Sequence, residues 1–482
     1  MRGDAYIMEY IVHGRNPESF FRFFEELSQI PRGSGNESGA ADYVSAFAAS
    51  RGLECYRDEM NNVLIKKPAS SGYETHSAVL LQGHLDMVCE KTADSTHDFL
   101  RDGIKLVSDG EMLRADGTTL GADDGIAVAM TLAVLDDDSL PHPPIEAVFN
   151  TDEETGMYGA EGLDTTKLDG HILINIDSGE EGVLTVGCAG GAKTTTVLTL
   201  HRAPDDGHLV RIRVDGLLGG HSGIDIDKGR LNADATLADF LASLDMPFRI
   251  VSISGGFKDN VIPCAAECVI SCGADAEEIC RPASAYADKI RPDTDPNLAV
   301  SCEDAGKDAE SFDTDSTAAI LKFIRETPSG IIKMSETIDG MVQTSQNLGI
   351  LETSGNTVKA VVSVRSSVAA EKEEAVEKLR RHAEEYGAEF SVHGHYPAWE
   401  VVDDSRLRET MVRVYERLNG RSPVITTVHA GLECGLFGGK IRNFDAVSIG
   451  PDMWDIHTVS EHLSLASTER TYDYLCTVLA EL

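Results

Sequence analysis

No stretch of about 18 uncharged apolar residues occurs in this 482-residue chain, so no transmembrane helix is expected. The opening MRGDAYIMEYIVHGRNPE carries acids and lacks an apolar signal core, so secretion is not indicated. Basic residues are scarce: 42 Lys and Arg stand against 80 Asp and Glu, a net charge of −38. A chain this acidic repels phosphate backbones and anionic membranes, which argues against nucleic acid and membrane as partners. Excess surface acid also serves solubility. The ten cysteines include no CxxC pair, and five cluster from Cys264 to Cys302. Cys264, Cys268 and Cys272 recur every four residues without a histidine among them. Reduced thiols in a cytoplasmic protein fit this better than a zinc–thiolate site. The composition is otherwise globular, 42% hydrophobic and 25% charged. At roughly 150 residues per domain the length suggests two or three domains.

The first part of the chain alternates helices with short apolar strands. Asn16-Pro17 opens a helix through Ile30, with Asn as cap and Pro at the first helical position. A second helix runs from near Glu37 to Arg51 and stops at Gly52. Apolar runs at 78–81, 145–149 and 172–176 read as strands of a buried, parallel sheet, with a helix at 125–135 between the first two. This is α/β patterning. After about Gly190 the character becomes α+β, with an alternating strand at 209–214, a helix at 232–244 and a charged helix at 371–386. The acidic span from Gly273 to about Asp315 reads as surface loop and short helix. Beyond Trp399 the α/β pattern returns, which implies a domain inserted into a discontinuous one. The expected division is 1–188, 189–397 and 398–482, the first and last forming one catalytic domain.

Chemistry-bearing residues follow apolar strands or open helices. In LQGHLDM (81–87), His84 and Asp86 share a face of an extended strand, so His84 can ligate a metal while Asp86 fixes its tautomer. A strand-end histidine is also a common structural feature. In GADDG (121–125) adjacent carboxylates open a helix; a turn or cap is the alternative reading. In NTDEETG (150–156) three consecutive carboxylates end a buried strand, where a cation would relieve their repulsion; a solvated acidic loop is the alternative. NIDSGEEG (175–182) again places acid after an apolar strand. His457 and His462 in WDIHTVSEH (454–462), and His429 in VHAGLECG (428–435), supply further candidate nitrogens. Strand ends of an α/β sheet converge on one crevice, and mixed His and Asp/Glu ligands there suit zinc. Two ions sharing a carboxylate would make a hydrolytic site.

As an ordered set, GHLDMV, GADDG, DEETG, NIDSGEEG and IHTVSEHLSLAS resemble the co-catalytic di-zinc exopeptidases, the family of aminoacylase, glutamate carboxypeptidase, peptidase T and carnosinase-type enzymes. LGADDGIAVAM, GLLGGHSG and HAGLECG strengthen the likeness to its branch of dipeptidases acting on Xaa-His. The resemblance covers nearly the whole chain. It implies a mixed sheet flanked by helices as a di-zinc catalytic domain, with an inserted α+β lid domain. It implies that His84 and Asp177 bind one zinc, Glu154 and His457 the other, and Asp123 both, with cobalt or manganese as replacements. Asp86 orients His84, Glu153 is general base and acid, and the Asp123–Asp124 peptide is cis. His457 has Glu461 four residues on, as in the family motif; Val459 stands where the family often has Pro, which keeps His462 as an alternative ligand. His221 is implied to polarise the scissile carbonyl, and Asn260 and Arg365 to hold the substrate's carboxylate. The implied activity is a cytoplasmic metallo-dipeptidase working on small peptides. Aminoacylase, carboxypeptidase or tripeptidase activity on the same scaffold is the alternative, as is a non-catalytic metal- or peptide-binding relative. A homodimer is left open, and with it whether His221 serves its own subunit.

Overall fold

The computed structural model describes residues 10–482 apart from 337 and 339. The chain divides into two compact units: Met1–Gly187 with Val401–Thr427 and Leu432–Leu482, and Cys188–Glu400 with Val428–Gly431. No described helix is long and apolar enough to cross a membrane.

The first unit is built on a mixed eight-stranded sheet. At its centre Ile145–Asn150, Val79–His84, Ile172–Asn175 and Asp445–Ser448 lie side by side and parallel. Parallel strands are covered on both faces, so they read as continuous apolar runs, and Val79–His84 and Ile145–Asn150 are buried along their whole length. Helix Ala122–Asp136 is buried from Ile126 to Leu135, because it packs between the sheet strand Val79–His84 and helix Glu18–Ser28. That second helix contributes Phe20, Phe21, Phe23, Phe24 and Leu27 to the same core. Its start differs from the sequence expectation. Pro17 has extended backbone and stands before the first helical residue, Glu18, and Asn16 is not the cap. The next helix, Ser38–Arg51, stops at Gly52 with φ +66°, a left-handed conformation that glycine adopts without a Cβ clash.

The second unit carries a nine-stranded sheet whose strand pairings are all antiparallel. Its helices Ala233–Ala242, Thr314–Glu326 and Ala369–Glu385 each bury one face in a common core. The acidic span 273–315 corrects the sequence reading. It holds a 15-residue helix, Ala276–Ile290, and a 14-residue strand, Ala299–Phe312. Asp275 and Glu278 form a capping box, and Ile279, Ala283 and Ala287 recur every fourth residue on the buried face. On the strand, Glu303 pairs with Arg211 of the neighbouring strand Arg202–Asp215. The acids are the solvent faces of regular elements. Cys268 and Cys272 are buried on strand Ala266–Cys272 while Cys264 before it is exposed, all as free thiols.

Asp234, in the first turn of Ala233–Ala242, is fully buried, and neither carboxylate oxygen has a hydrogen-bond partner among the described residues. Burial pushes its pKa up to about 8. The unfolded chain releases this proton near pH 3.8 and the folded chain near 8, so stability falls as pH rises through that window and is level above it. Asp234→Asn removes the titration. It is expected to melt at least about 2 °C above the parent at pH 8, with the gap closing toward pH 4, as scanning calorimetry would show. An equal gap at both pH values would contradict this.

Candidate active site

Parallel strands deliver their carboxyl ends to one edge of the first unit's sheet. His84 ends one strand, Asn150 ends the next and leads into Glu153 and Glu154, and Asn175 ends the third and leads into Asp177. His84 is 1% exposed; its Nε2 lies 3.1 Å from Asp123 Oδ1 and 3.9 Å from Asp177 Oδ1. His457 Nε2 lies 3.1 Å from Asp123 Oδ2 and 2.9 Å from Glu154 Oε1. Asp123 therefore turns one oxygen to each histidine. Candidate donor atoms fall into three overlapping groups with spreads within 4.8 Å: His84–Asp123–Asp177, Asp123–Glu154–His457 and His84–Glu153–Glu154.

The surroundings fix each of these side chains. Asp86 is fully buried, 3.3 Å from His84 Nδ1, and accepts from Ser34 Oγ at 2.8 Å and from the amides of Glu153 and Glu154 at 3.1 and 3.2 Å. Burial alone would raise its pKa, but these donors bring it down to about 2. Asp86 thus orients the imidazole and the Glu153–Glu154 backbone together. Glu461 accepts from the amides of Leu120, Gly121 and Ala122 at 2.7–2.9 Å and from Asp123 at 3.3 Å. The Asp123–Asp124 peptide is cis. Asp124 turns inward and accepts the His84 amide at 3.1 Å. Residue 83 must be glycine, since a Cβ there would lie 2.2 Å from Ala127 and 2.5 Å from Asp124 Oδ2.

Carboxylates crowd this edge. Burial, reinforced by Asp123, pushes Asp177 well above the ordinary carboxylate range. Burial raises Glu153 to about 7; Glu154, Asp123 and Asp86 add to this and His84 opposes it. Hydrogen bonds to Asp123 and Glu154 hold His457 up at about 10. Two imidazoles and four carboxylates converging at this spacing form a donor set suited to divalent cations, and a cation would relieve the mutual repulsion of the acids.

Two histidines weighed as ligands lie elsewhere. His462 bonds the Ser460 carbonyl at 2.8 Å and stacks on Trp454, so its ring is already engaged. His429 belongs to the second unit, where its Nε2 is 2.7 Å from Ser345 Oγ. Burial first, then the nearby Arg365 charge, lowers His429 to about 4, so it is neutral at pH 7.

The second unit also holds His221, Asn260 and Arg365. His221 and Val261 pair between two short strands, which sets Asn260 beside His221, and the Asn260 carbonyl accepts the Ser222 amide. His221 Nδ1 accepts the amides of Gly223 and Ile224 at 3.2 and 3.1 Å. The neutral ring therefore keeps its proton on Nε2. That nitrogen is 3.5 Å from Arg365 Nη2, and Arg365 Nη1 donates to Tyr396 Oη at 2.9 Å. Burial and the Arg365 charge both lower the His221 pKa.

Sequence reasoning passed over several buried residues around the first unit's cluster. Arg32, 2% exposed, donates to the carbonyls of Leu85 and Asp86 at 3.0 and 2.8 Å and to that of Gly121. Gln82 and Glu433 are both fully buried and hydrogen-bonded to each other. Their motifs, LQGHLDM and HAGLECG, were legible; which of their polar residues turn inward was not.

A profile of the peptidase family M20/M25/M40 matches residues 80–481. The cytosol non-specific dipeptidase of Escherichia coli (strain K12) is 35% identical over 475 residues, 97% of this chain and 98% of the relative. Aminoacylhistidine dipeptidase from Vibrio alginolyticus superposes with TM-score 0.89 at 34% identity, covering 97% of each chain. Aminopeptidase PepT from Bacillus cereus ATCC 10987, 18% identical with TM-score 0.57 over 97% of this chain and 99% of its own, shares the fold. The chain belongs to peptidase family M20/M25/M40 and is a hydrolase of peptide bonds.

Proposed function

We propose that this protein is a di-zinc dipeptidase that cleaves Xaa-His and related dipeptides, with cobalt or manganese able to replace zinc. The observation that carries the reading is Asp123, which faces His84 with one oxygen and His457 with the other. His84 and Asp177 complete one metal position, and Glu154 and His457 the other. The dipeptidase assignment is supported by two relatives, each matched over 97% of this chain and named for dipeptide cleavage. A cytoplasmic location follows the name of the Escherichia coli relative.

Bound there, the two ions supply Lewis-acid activation of a water and of the peptide carbonyl. The protein's own part is proton handling and orientation. Glu153, beside these ligands, takes a proton from the attacking water and returns it to the leaving amine. Asp86 keeps the His84 proton on Nδ1, which leaves Nε2 as the ligating atom. We assign catalysis to parts 1–188 and 398–482 and peptide recognition to the inserted, lid-type part 189–397. In that part Arg365 offers a guanidinium, His221 an Nε2–H donor and Asn260 an exposed amide, a set suited to a carbonyl and a terminal carboxylate.

Glu153→Gln is expected to keep both metals while kcat falls by about 10²–10⁴-fold. Glu154→Gln should lose metal from one position. Metal analysis beside dipeptide turnover checks both; full occupancy in Glu154→Gln with loss from Glu153→Gln would reverse the roles. Arg365→Ala is expected to raise KM for dipeptides with a smaller change in kcat, and peptides blocked at the carboxyl end should lose the difference. A panel of dipeptides, tripeptides, tetrapeptides and acyl-amino acids tests the activity itself. Tetrapeptides cleaved as well as dipeptides would remove the carboxylate-anchor assignment. Dialysis against a strong chelator should abolish turnover and lower the melting temperature, because the metal stabilises only the folded state.

A further inference from the structure

Beneath the candidate metal ligands, one row of side-chain amides crosses four neighbouring strands of the first unit. Asn62 stands just before strand Val63–Lys67, and Asn150, Gln82 and Asn175 sit on the next three strands in sheet order. All four are buried. Asn62 Nδ2 donates to Asp58 Oδ2 at 2.7 Å. Asn62 Oδ1 accepts from Asn150 Nδ2 and from the Thr151 amide, both at 3.2 Å. Asn150 Oδ1 accepts from Gln82 Nε2 at 3.2 Å, and Gln82 Oε1 accepts from Asn175 Nδ2 at 2.7 Å. The second Gln82 N–H goes to Glu433 Oε2.

The row runs in one direction. A backbone carbonyl only accepts and a backbone N–H only donates, so Gly159, whose carbonyl takes the other Asn62 N–H at 3.0 Å, and Thr151 fix which way the Asn62 amide faces. Asn150 and then Gln82 must follow in turn. At Gln82 a buried N–H is left over, and Glu433 is the acceptor that meets it. Glu433 can accept at Oε2 with or without a proton on Oε1. If Gln82 turned over, its oxygen would face Asn150 Oδ1 and its NH₂ would face the Asn175 NH₂, two repulsive contacts in a buried layer. The members of the row stand two residues before His84, two before Asp177 and three before Glu153.

We propose that Glu433 is a positioning residue: by accepting from Gln82 it locks the one-directional amide row that sets the spacing of His84, Glu153, Glu154 and Asp177. The inference rests on the metal-site reading above. It requires the sense of the row, as well as burial and packing at position 433.

Three variants separate these. Glu433→Leu leaves Gln82 without its acceptor; zinc affinity, read by competition with a chromophoric chelator, and kcat are each expected to fall about 10–100-fold with little change in KM. Glu433→Gln can still offer an oxygen to Gln82 and should retain most of both. The double swap Gln82→Glu with Glu433→Gln rebuilds a hydrogen bond across the pair and keeps one buried acid. It also turns a carboxylate toward Asn150 Oδ1, so it should be as impaired as Glu433→Leu. Restoration of zinc affinity and kcat by the swap would overturn the proposal, as would a folded Glu433→Leu with parental values. If Glu433→Leu does not fold, the contrast between Glu433→Gln and the swap still decides. A parent protein that binds zinc yet cleaves no dipeptide would overturn the functional reading alone.

Discussion

Asp123 can face two histidines at once only while the turn that carries it is immobile, and one carboxylate, Glu461, takes four successive amides of that turn. Glu461 gathers the successive amides of residues 120–123, which otherwise would need water inside a buried layer. Charge-assisted bonds from backbone N–H to carboxylate are the stronger class of hydrogen bond, and four on one residue leave the turn little freedom. His457 stands four residues before Glu461, so the segment that clamps the shared aspartate also brings the second imidazole to it. Displacing this segment would disturb both proposed metal positions together.

The first unit concentrates negative charge at one sheet edge and answers it with few cations. Arg32 is the buried guanidinium nearest this chemistry, yet its hydrogen bonds go to carbonyl oxygens at Leu85, Asp86 and Gly121. It ties the strand end that carries Asp86 to the turn that carries Asp123. Among the described residues, the ion pairs of Asp123, Glu154 and Asp177 are with the two histidines. That arrangement is poor for stability and good for binding cations, because desolvated carboxylates gain most from a charge placed among them. In the second unit Arg365 bonds a tyrosine hydroxyl, and burial first, with the Arg365 charge second, lowers the pKa of the neighbouring His221 and His429.

Much of this was legible in the sequence because parallel strands are unbroken apolar runs, and polar residues directly after such runs have few places to go. His84, Glu153, Glu154 and Asp177 all follow this rule, and the structure brings them together with Asp123 and His457. His429 showed the limit: a histidine in a conspicuous motif looks the same whether it meets a cluster of acids or a serine. The span 273–315 failed for another reason. Its acids masked a periodic apolar face of only three residues, Ile279, Ala283 and Ala287, too thin to stand out from composition. Arg32, Gln82 and Glu433 were missed because burial of a polar side chain depends on partners distant in sequence.

Backbone geometry marks the same places independently. Six described non-glycine residues have positive φ, and four of them lie in the two segments that bring Glu154 and His457 to Asp123. Asp152 and Met157 bracket the short turn Glu153–Gly156, and Asp455 and His457 occupy the tail segment. Left-handed backbone at a non-glycine residue costs about 1–3 kcal/mol and persists where surrounding contacts over-determine it. Here the contacts can be named. The Asp152 amide goes to Glu37, the next two amides go to Asp86, and the Asp455 carbonyl accepts the Thr458 amide. Glu153 and Glu154 are the first two residues of a single α-helical turn, so their side chains leave the axis about 100° apart. The left-handed residues on either side of that turn set where it begins and ends, and Glu154 within it meets His457.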